Sequence, residues 1–220
     1  MRLSQWIDLQ KEHEREHPLT IKGRGLLAPT EELPITSVPI VEQDIVALFN
    51  QMLSSGLVRG IQLLSSSQYN QYDGLYRILM NPPFDKYKYN DTNPLGANPD
   101  QFVGVDEPIV SQVSILEYKY SVDALIEEFS TDVKNPEDIG LVVAWEMGER
   151  FAEMFDVLSY LDNDNLHHRE FHGFTHSFSH AVSGTSAFQA IILQDLINYC
   201  LDGITESARQ KRLYSLDMET

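Results

Sequence analysis

Glu117 and Lys119 stand two residues apart in Ile115-Leu116-Glu117-Tyr118-Lys119-Tyr120, an otherwise apolar run with the composition of a strand. Side chains at i and i+2 of a strand share a face, so a carboxylate and an ammonium are expected side by side. Such a pair can hold a divalent cation and steady the charge that develops on a phosphate under attack. A second carboxylate, Asp73, lies upstream in Tyr72-Asp73-Gly74-Leu75-Tyr76-Arg77-Ile78, another alternating run. Two carboxylates and a lysine on successive strands are the parts of a metal-dependent phosphodiester hydrolase. A Glu-x-Lys pair on a solvated strand face is also common in proteins with no such role, so the surrounding elements decide how this one is read.

Upstream, Val41, Ile45, Leu48, Phe49, Met52 and Leu53 recur at the period of an amphipathic helix, and Gly56 stops it. Ile61-Gln62-Leu63-Leu64 is a short apolar run, followed by the strand-like stretch of Asp73. Downstream, Val122 to Phe129 predicts a helix, and Ile139 to Glu146 predicts a buried strand. The latter is apolar without alternation, which marks a strand covered on both faces. The order is helix, strand, strand, strand, helix, strand.

In that order, and with those residues, residues 40 to 147 resemble the PD-(D/E)XK nuclease superfamily. The resemblance implies an α/β, restriction-endonuclease-like fold: a mixed central β-sheet flanked by helices. It implies that Asp73 and Glu117 hold Mg²⁺ or Mn²⁺, with the backbone carbonyl of Tyr118 and the carboxylate of Glu42 as further ligands. A water activated at the metal then attacks the phosphate, and Lys119 positions that water or neutralises the transition state. The implied substrate is nucleic acid, DNA first. The chain departs from the superfamily at Tyr72, which takes the place of the proline that precedes the aspartate. Leu116 to Tyr120 and Asp138 to Glu146 are also similar to nuclease-like domains attached to histidine-kinase/gyrase-type ATPases in bacterial defence proteins. That likeness implies one part of an anti-phage assembly, with an ATPase as protein partner.

The chain has 220 residues, 42% of them hydrophobic, which suits one domain with appendages and a real core. No run approaches the roughly 18 apolar residues of a membrane helix. Met1 to Asp8 lacks the apolar core of a signal peptide. A cytoplasmic protein without membrane contact is expected. The one cysteine, Cys200, excludes an internal disulfide and a Cys-rich zinc site, and its apolar surroundings predict a core position.

Charge opposes a simple DNA binder. Asp and Glu number 33 against 16 Lys and Arg, a formal net charge of −17. Duplex DNA is a polyanion whose partners usually carry a basic footprint. Binding would then need divalent metal, a basic partner, or homo-oligomerisation that gathers Lys86, Lys88 and Arg77 around one cleft. Lys86-Tyr87-Lys88-Tyr89 alternates basic and aromatic residues, a pattern suited to phosphate contacts and base stacking. A solvated loop edge accounts for the same pattern. The acidity keeps a second function open: a catalytically inactive nuclease-fold module that binds a protein partner through an acidic face.

Residues 1–39 predict an N-terminal helix and an extended connector rich in proline, and residues 40–204 the nuclease-like domain. Within it, residues 81–110 form an insertion that is loop by composition. Beyond Trp145 the pattern predicts a helix over 147–158, a strand over 169–178, and a strand running into a helix over 186–201. Residues 205–220 form a charged tail expected to fray. His167, His168, His172, His176 and His180 are spaced so that some share a face and could hold zinc or nickel. Gly173 and Gly184 favour a hairpin instead, with the histidines packed at a sheet edge or solvated.

Overall fold

A computed structural model describes residues 3–19, 36–67 and 71–214. The helix α1 (Leu3–Glu16) forms in the expected N-terminal stretch, and none of its residues is buried. Pro29 and Pro34 of the expected connector lie outside the described residues.

The expected elements form in the expected order. Helix α2 (Glu42–Ser55) starts where the Asp44 carboxylate accepts the amides of Ile40 and Val41, at 2.9 and 3.1 Å. It ends at Gly56, whose φ of 76° allows the left-handed turn that satisfies the last carbonyls. Then come β1 (Ile61–Ser66), β2 (Gly74–Met80), the two-residue β3 (Ile109–Val110) and β4 (Ser114–Ser121). Helix α3 (Val122–Ser130) follows β4 directly and carries the chain over to β5 (Ile139–Glu146), which pairs parallel to β4. The rest is β6 (Phe155–Ser159), β7 (His176–His180), β8 (Ser186–Ile192), α4 (Leu193–Leu201) and α5 (Gly203–Tyr214).

The strands form one mixed eight-stranded sheet in the order β1-β2-β4-β5-β8-β7-β6, with β3 beside β2. The two junctions of β5, to β4 and to β8, are parallel, and the remaining pairings are antiparallel. This is the α/β architecture that the sequence predicts. One face packs Ile45, Leu48, Phe49 and Met52 of α2 and the apolar side of α4 against Tyr118, Leu141 and Val143. The other packs Leu125, Ile126 and Phe129 of α3 against Val142, Ala144, Phe178 and Phe188. Alternate residues of β5 therefore enter opposite cores, which is why its sequence is apolar without alternation.

Three expected elements differ. Residues 147–158 are not a helix: a 3₁₀ turn at Arg150–Glu153 leads into β6. Gly148 has a φ of 76°, and the Asp123 carboxylate accepts the amides of Glu149 and Arg150 at 3.1 and 2.8 Å, so the turn is capped from outside. The strand expected over 169–178 is confined to its end, in β7, because Arg169 and His172 turn inward and Gly173 has a φ of 84°. The charged tail is helical in α5 and packed through a polar face: Glu206, Ser207 and Gln210 are buried. Residues 215–220 of that tail lie outside the described residues.

The insertion is irregular yet anchored. Phe84, Tyr87, Leu95, Ala97 and Phe102 are buried in it. Arg169, fully buried, donates to the carbonyls of Pro94 and Gly96 at 2.8 and 3.1 Å and to that of Tyr160. Carbonyls rather than a carboxylate take the two terminal nitrogens of this guanidinium, which ties the insertion to the body of the domain.

Candidate active site

Strand β2 pairs antiparallel with β4 as far as Gly74, opposite Leu116, and Asp73 is the residue just before that last pair. Where the ladder stops, the Asp73 side chain continues it: Oδ2 accepts the Tyr118 amide at 2.8 Å. In return, the Asp73 amide donates to Glu117 Oε1 at 3.2 Å. Two hydrogen bonds thus bind the expected aspartate to the expected Glu-x-Lys strand. The N–H and C=O of one strand residue point to the same side, so the Tyr118 carbonyl also turns toward the edge held by Asp73. On the β1 side, Ser67 donates its amide to the Asp73 carbonyl at 2.7 Å.

The half-buried Asp73 opens onto a cavity of about 430 Å³ lined by Glu42, Gln43, Val46, Ser66, Ser67, Asp73 and Tyr118. Helix α2 places Glu42 in its first turn, at the mouth of this cavity. Burial pushes the Glu42 carboxyl above the ordinary range; Lys119 opposes this and the charge of Asp73 adds to it.

Glu117 and Lys119 share a face, as i and i+2 spacing requires, but that face is covered by α3 and the turn after it. Glu117 is 0% exposed and Lys119 7% exposed. Lys119 donates to Glu128 of α3 at 2.9 Å and stands 3.9 Å from Glu117. A second lysine completes a ring of alternating charge. Lys134, 8% exposed, is bonded to Glu117 Oε2 and lies 3.1 Å from Glu128 Oε2. Its ammonium also sits 5.9 Å from the centre of the Tyr72 ring, a cation–π distance. Tyr72 stands where the resembled pattern has proline.

Burial raises the Glu117 carboxyl to about 7, against the pull of Lys134, with Asp73 adding to the rise. Burial also works against the Lys134 ammonium. The hydrogen bond and charge of Glu117, then those of Glu128, outweigh it and hold the lysine above its ordinary range. We take Lys134 as charged and Glu117 as the group whose ionisation its neighbours tune. Glu42, Asp73, Glu117 and Glu128, against Lys119 and Lys134, leave a formal deficit of two positive charges around this site.

Hard oxygen donors on the cavity wall suit Mg²⁺ or Mn²⁺, which take one or two carboxylates and complete their shell with water and phosphate oxygens. Asp73 and Glu42 line that wall, whereas Glu117, expected as the main partner of Asp73 in holding a metal, is not among the lining residues and is fully buried. Among the described residues, no three His, Cys, Asp or Glu side chains gather into a ready-made metal cage.

The other expected contacts sit apart. Among the described residues lining the cavity there is no Lys or Arg. Arg77 donates to Gln62 on the outer side of β2 at 2.7 Å. Lys88 pairs with Asp85 at 3.0 Å, and Lys86 lies 5.0 Å from the centre of the Tyr87 ring. Tyr87 is buried and Tyr89 half-buried, so the Tyr87 ring belongs to the core and offers no face to a base. The histidines disperse. His172 is buried against Asn93 at 3.0 Å, and His176 bridges Thr175 and Gln210 at 2.9 Å each. The rings of His167 and His168 lie 3.9 Å apart, tilted by 43°.

Sequence reasoning missed Lys134 and Glu128. Lys134 meets Glu117 only because the β4-α3-β5 crossover folds back, and no local spacing links them. Comparison with protein-family models, with curated proteins and with solved structures returned no match.

Proposed function

We propose that the chain is a Mg²⁺- or Mn²⁺-dependent nuclease that hydrolyses phosphodiester bonds at the cavity between α2 and the β2–β4 edge. The observation that carries this reading is the mutual hydrogen bonding of Asp73 and the Glu117-Tyr118 segment beside a carboxylate-walled cavity. Asp73 and Glu42 would hold the cation, with the Tyr118 carbonyl turned to the same edge. Bound there, the metal supplies Lewis acidity to a phosphate oxygen and acidifies a water. Glu117 fixes the backbone of Asp73 and hence the direction of its carboxylate. Lys119 acts from beneath: its charge is the strongest influence opposing the rise of Glu42, so it is felt at the cavity wall, where charge develops on the phosphate.

Among the described lining residues, Ser66, Ser67 and Gln43 add neutral hydrogen-bonding groups and none is basic, so positive charge at the wall would come from a bound metal. With a net charge of −17, substrate capture then depends on metal and on a basic partner, such as an ATPase of a defence assembly. The test is cleavage of single- and double-stranded DNA and RNA with Mg²⁺ or Mn²⁺, alone and with proteins encoded beside it. Cleavage lost in Asp73→Asn supports the reading.

A second reading has its own support. Both buried lysines are engaged by Glu117 and Glu128, and the chain is strongly acidic. A nuclease-fold module that binds a basic protein through its surface would show no cleavage under any of these conditions, and its partner binding would be unchanged in Asp73→Asn.

A further inference from the structure

Resting on the nuclease reading above, we infer that the isolated chain prefers a dinucleotide, two nucleosides joined by one phosphodiester, to a polymer, and that Gln43 and Ser66 bind it.

The cavity has the size of a small-molecule site. Its volume is about 430 Å³, and such sites run from roughly 300 to 1,000 Å³. Helix α2 supplies one side. Glu42 and Val46 stand at i and i+4 and so share a face of the helix, with Gln43 beside them. The end of β1 and the approach to β2 supply the other side, through Ser66, Ser67 and Asp73.

Part of this wall is committed to the fold. Asp73 accepts the Tyr118 amide on its carboxylate and the Ser67 amide on its carbonyl. Gln43 and Ser66 differ. Both are exposed, and among the described residues no hydrogen bond engages the Gln43 side-chain amide or the Ser66 hydroxyl. An amide side chain can donate and accept, and so can a hydroxyl. Those roles suit the edge of a base and the hydroxyls of a sugar. Val46 adds apolar surface against which a base can lie.

Charge sets the length of the substrate. Glu42, Asp73, Glu117 and Glu128 exceed Lys119 and Lys134 by two formal charges, which one divalent ion cancels. A dinucleotide then brings a single negative charge. Each further nucleotide of a strand adds another, against a body of −17. Proteins that track a strand offset those charges with a basic groove, and the described cavity lining holds no Lys or Arg. A polymer therefore needs the basic partner, and a dinucleotide does not. Its hydrolysis adds one water: the water oxygen bonds to phosphorus, the bond from phosphorus to one sugar oxygen breaks, and a proton goes to that oxygen. The products are a nucleotide and a nucleoside.

The test is cleavage by the isolated full chain, in Mn²⁺ or Mg²⁺, of single strands from a dinucleotide to about 30 nucleotides, at low salt and at about 0.3 M salt. At low salt, kcat/KM for the dinucleotide is expected to exceed that for the longest strand at least about tenfold. The gap should narrow at high salt, which screens the acidic body. The Gln43→Ala/Ser66→Ala chain, altered at exposed positions only, is expected to raise KM for the dinucleotide about tenfold. A kcat/KM that rises with length, a gap that ignores salt, or an unchanged KM in the double variant overturns the inference and leaves the nuclease reading standing. No cleavage of any length by wild type, with or without a partner, removes the nuclease reading, and the inference falls with it.

Discussion

The Asp73 carboxylate accepts the Tyr118 amide at 2.8 Å, in the place where β2 would have offered its next backbone carbonyl to β4. The side chain that faces the cavity is therefore also a structural plug for the sheet. Removing it should leave the Tyr118 N–H without a partner, at a cost of about 1–3 kcal/mol. Asp73→Ala is expected to lose that much stability together with activity. Asp73→Asn keeps an acceptor oxygen and is expected to lose cleavage with a smaller loss of stability. Urea unfolding of both variants, beside cleavage rates, separates the two roles.

Lys119 was expected to position the attacking water or neutralise the transition state. It is nearly buried and bonded to Glu128 at 2.9 Å. Lys119→Ala is accordingly expected to cost about 2–4 kcal/mol, since truncating one member of a buried pair strands the other. Lys134 still faces Glu128, which keeps the loss below complete unfolding. Lys119→Met retains the aliphatic stem and is the better variant for cleavage, which is expected to fall at least about 100-fold.

Glu117 makes stability depend on pH. Its folded pKa, raised by burial to about 7, lies above the ordinary 4.5, so the fold prefers the protonated carboxyl. The stabilisation from that proton is full below 4.5 and is lost as pH rises through about 7. Glu117→Gln removes the titration. Its stability relative to wild type is expected to rise by about 1–3 kcal/mol between about pH 5 and pH 8, in metal-free buffer. A difference that stays flat across that range would contradict the burial of Glu117.

His172 should act in the opposite sense. Burial, then the charges of Arg59 and Arg169, hold its pKa well below 6.5. A depressed histidine contributes stability above 6.5 that is lost as pH falls toward the folded pKa. Wild type is expected to weaken more than His172→Gln on acidification from about pH 7 to pH 5, read as the urea midpoint.

Much of the frame was legible locally. The chain spells β4 and β5 with apolar runs, α2 with a 3.6-residue period closed by Gly56, and the neighbouring carboxylates with Asp73 and Glu117. What escaped depends on tertiary contacts. Phe151, Met154, Phe155 and Leu158 also fit a helical period, and only Gly148, the carboxylate of Asp123 and pairing with β7 make β6 a strand. Helix α5 lacks an apolar stripe because it is buried through Glu206, Ser207 and Gln210, with Gln210 accepting from Ser159 at 2.7 Å. Lys134 carries no motif. Its place is set by the α3 turn and by Tyr72, where the resembled pattern has proline.

The acidic body bears on substrate capture. With −17 formal charges and no Lys or Arg among the described residues lining the cavity, the isolated chain in EDTA is expected to give no gel shift of duplex DNA. A shift should appear with divalent metal and a basic partner. Tight, steeply salt-dependent binding without either would mean that a basic surface controls capture.

The most direct measurement is cleavage of labelled single- and double-stranded nucleic acid by the chain, with its neighbouring proteins present, in Mn²⁺, in Mg²⁺ and in EDTA, for wild type and Asp73→Asn. The account predicts metal-dependent cleavage by wild type and none by Asp73→Asn, with the variant still folded. Cleavage that survives in Asp73→Asn, or no cleavage by wild type with any metal or partner, would contradict it.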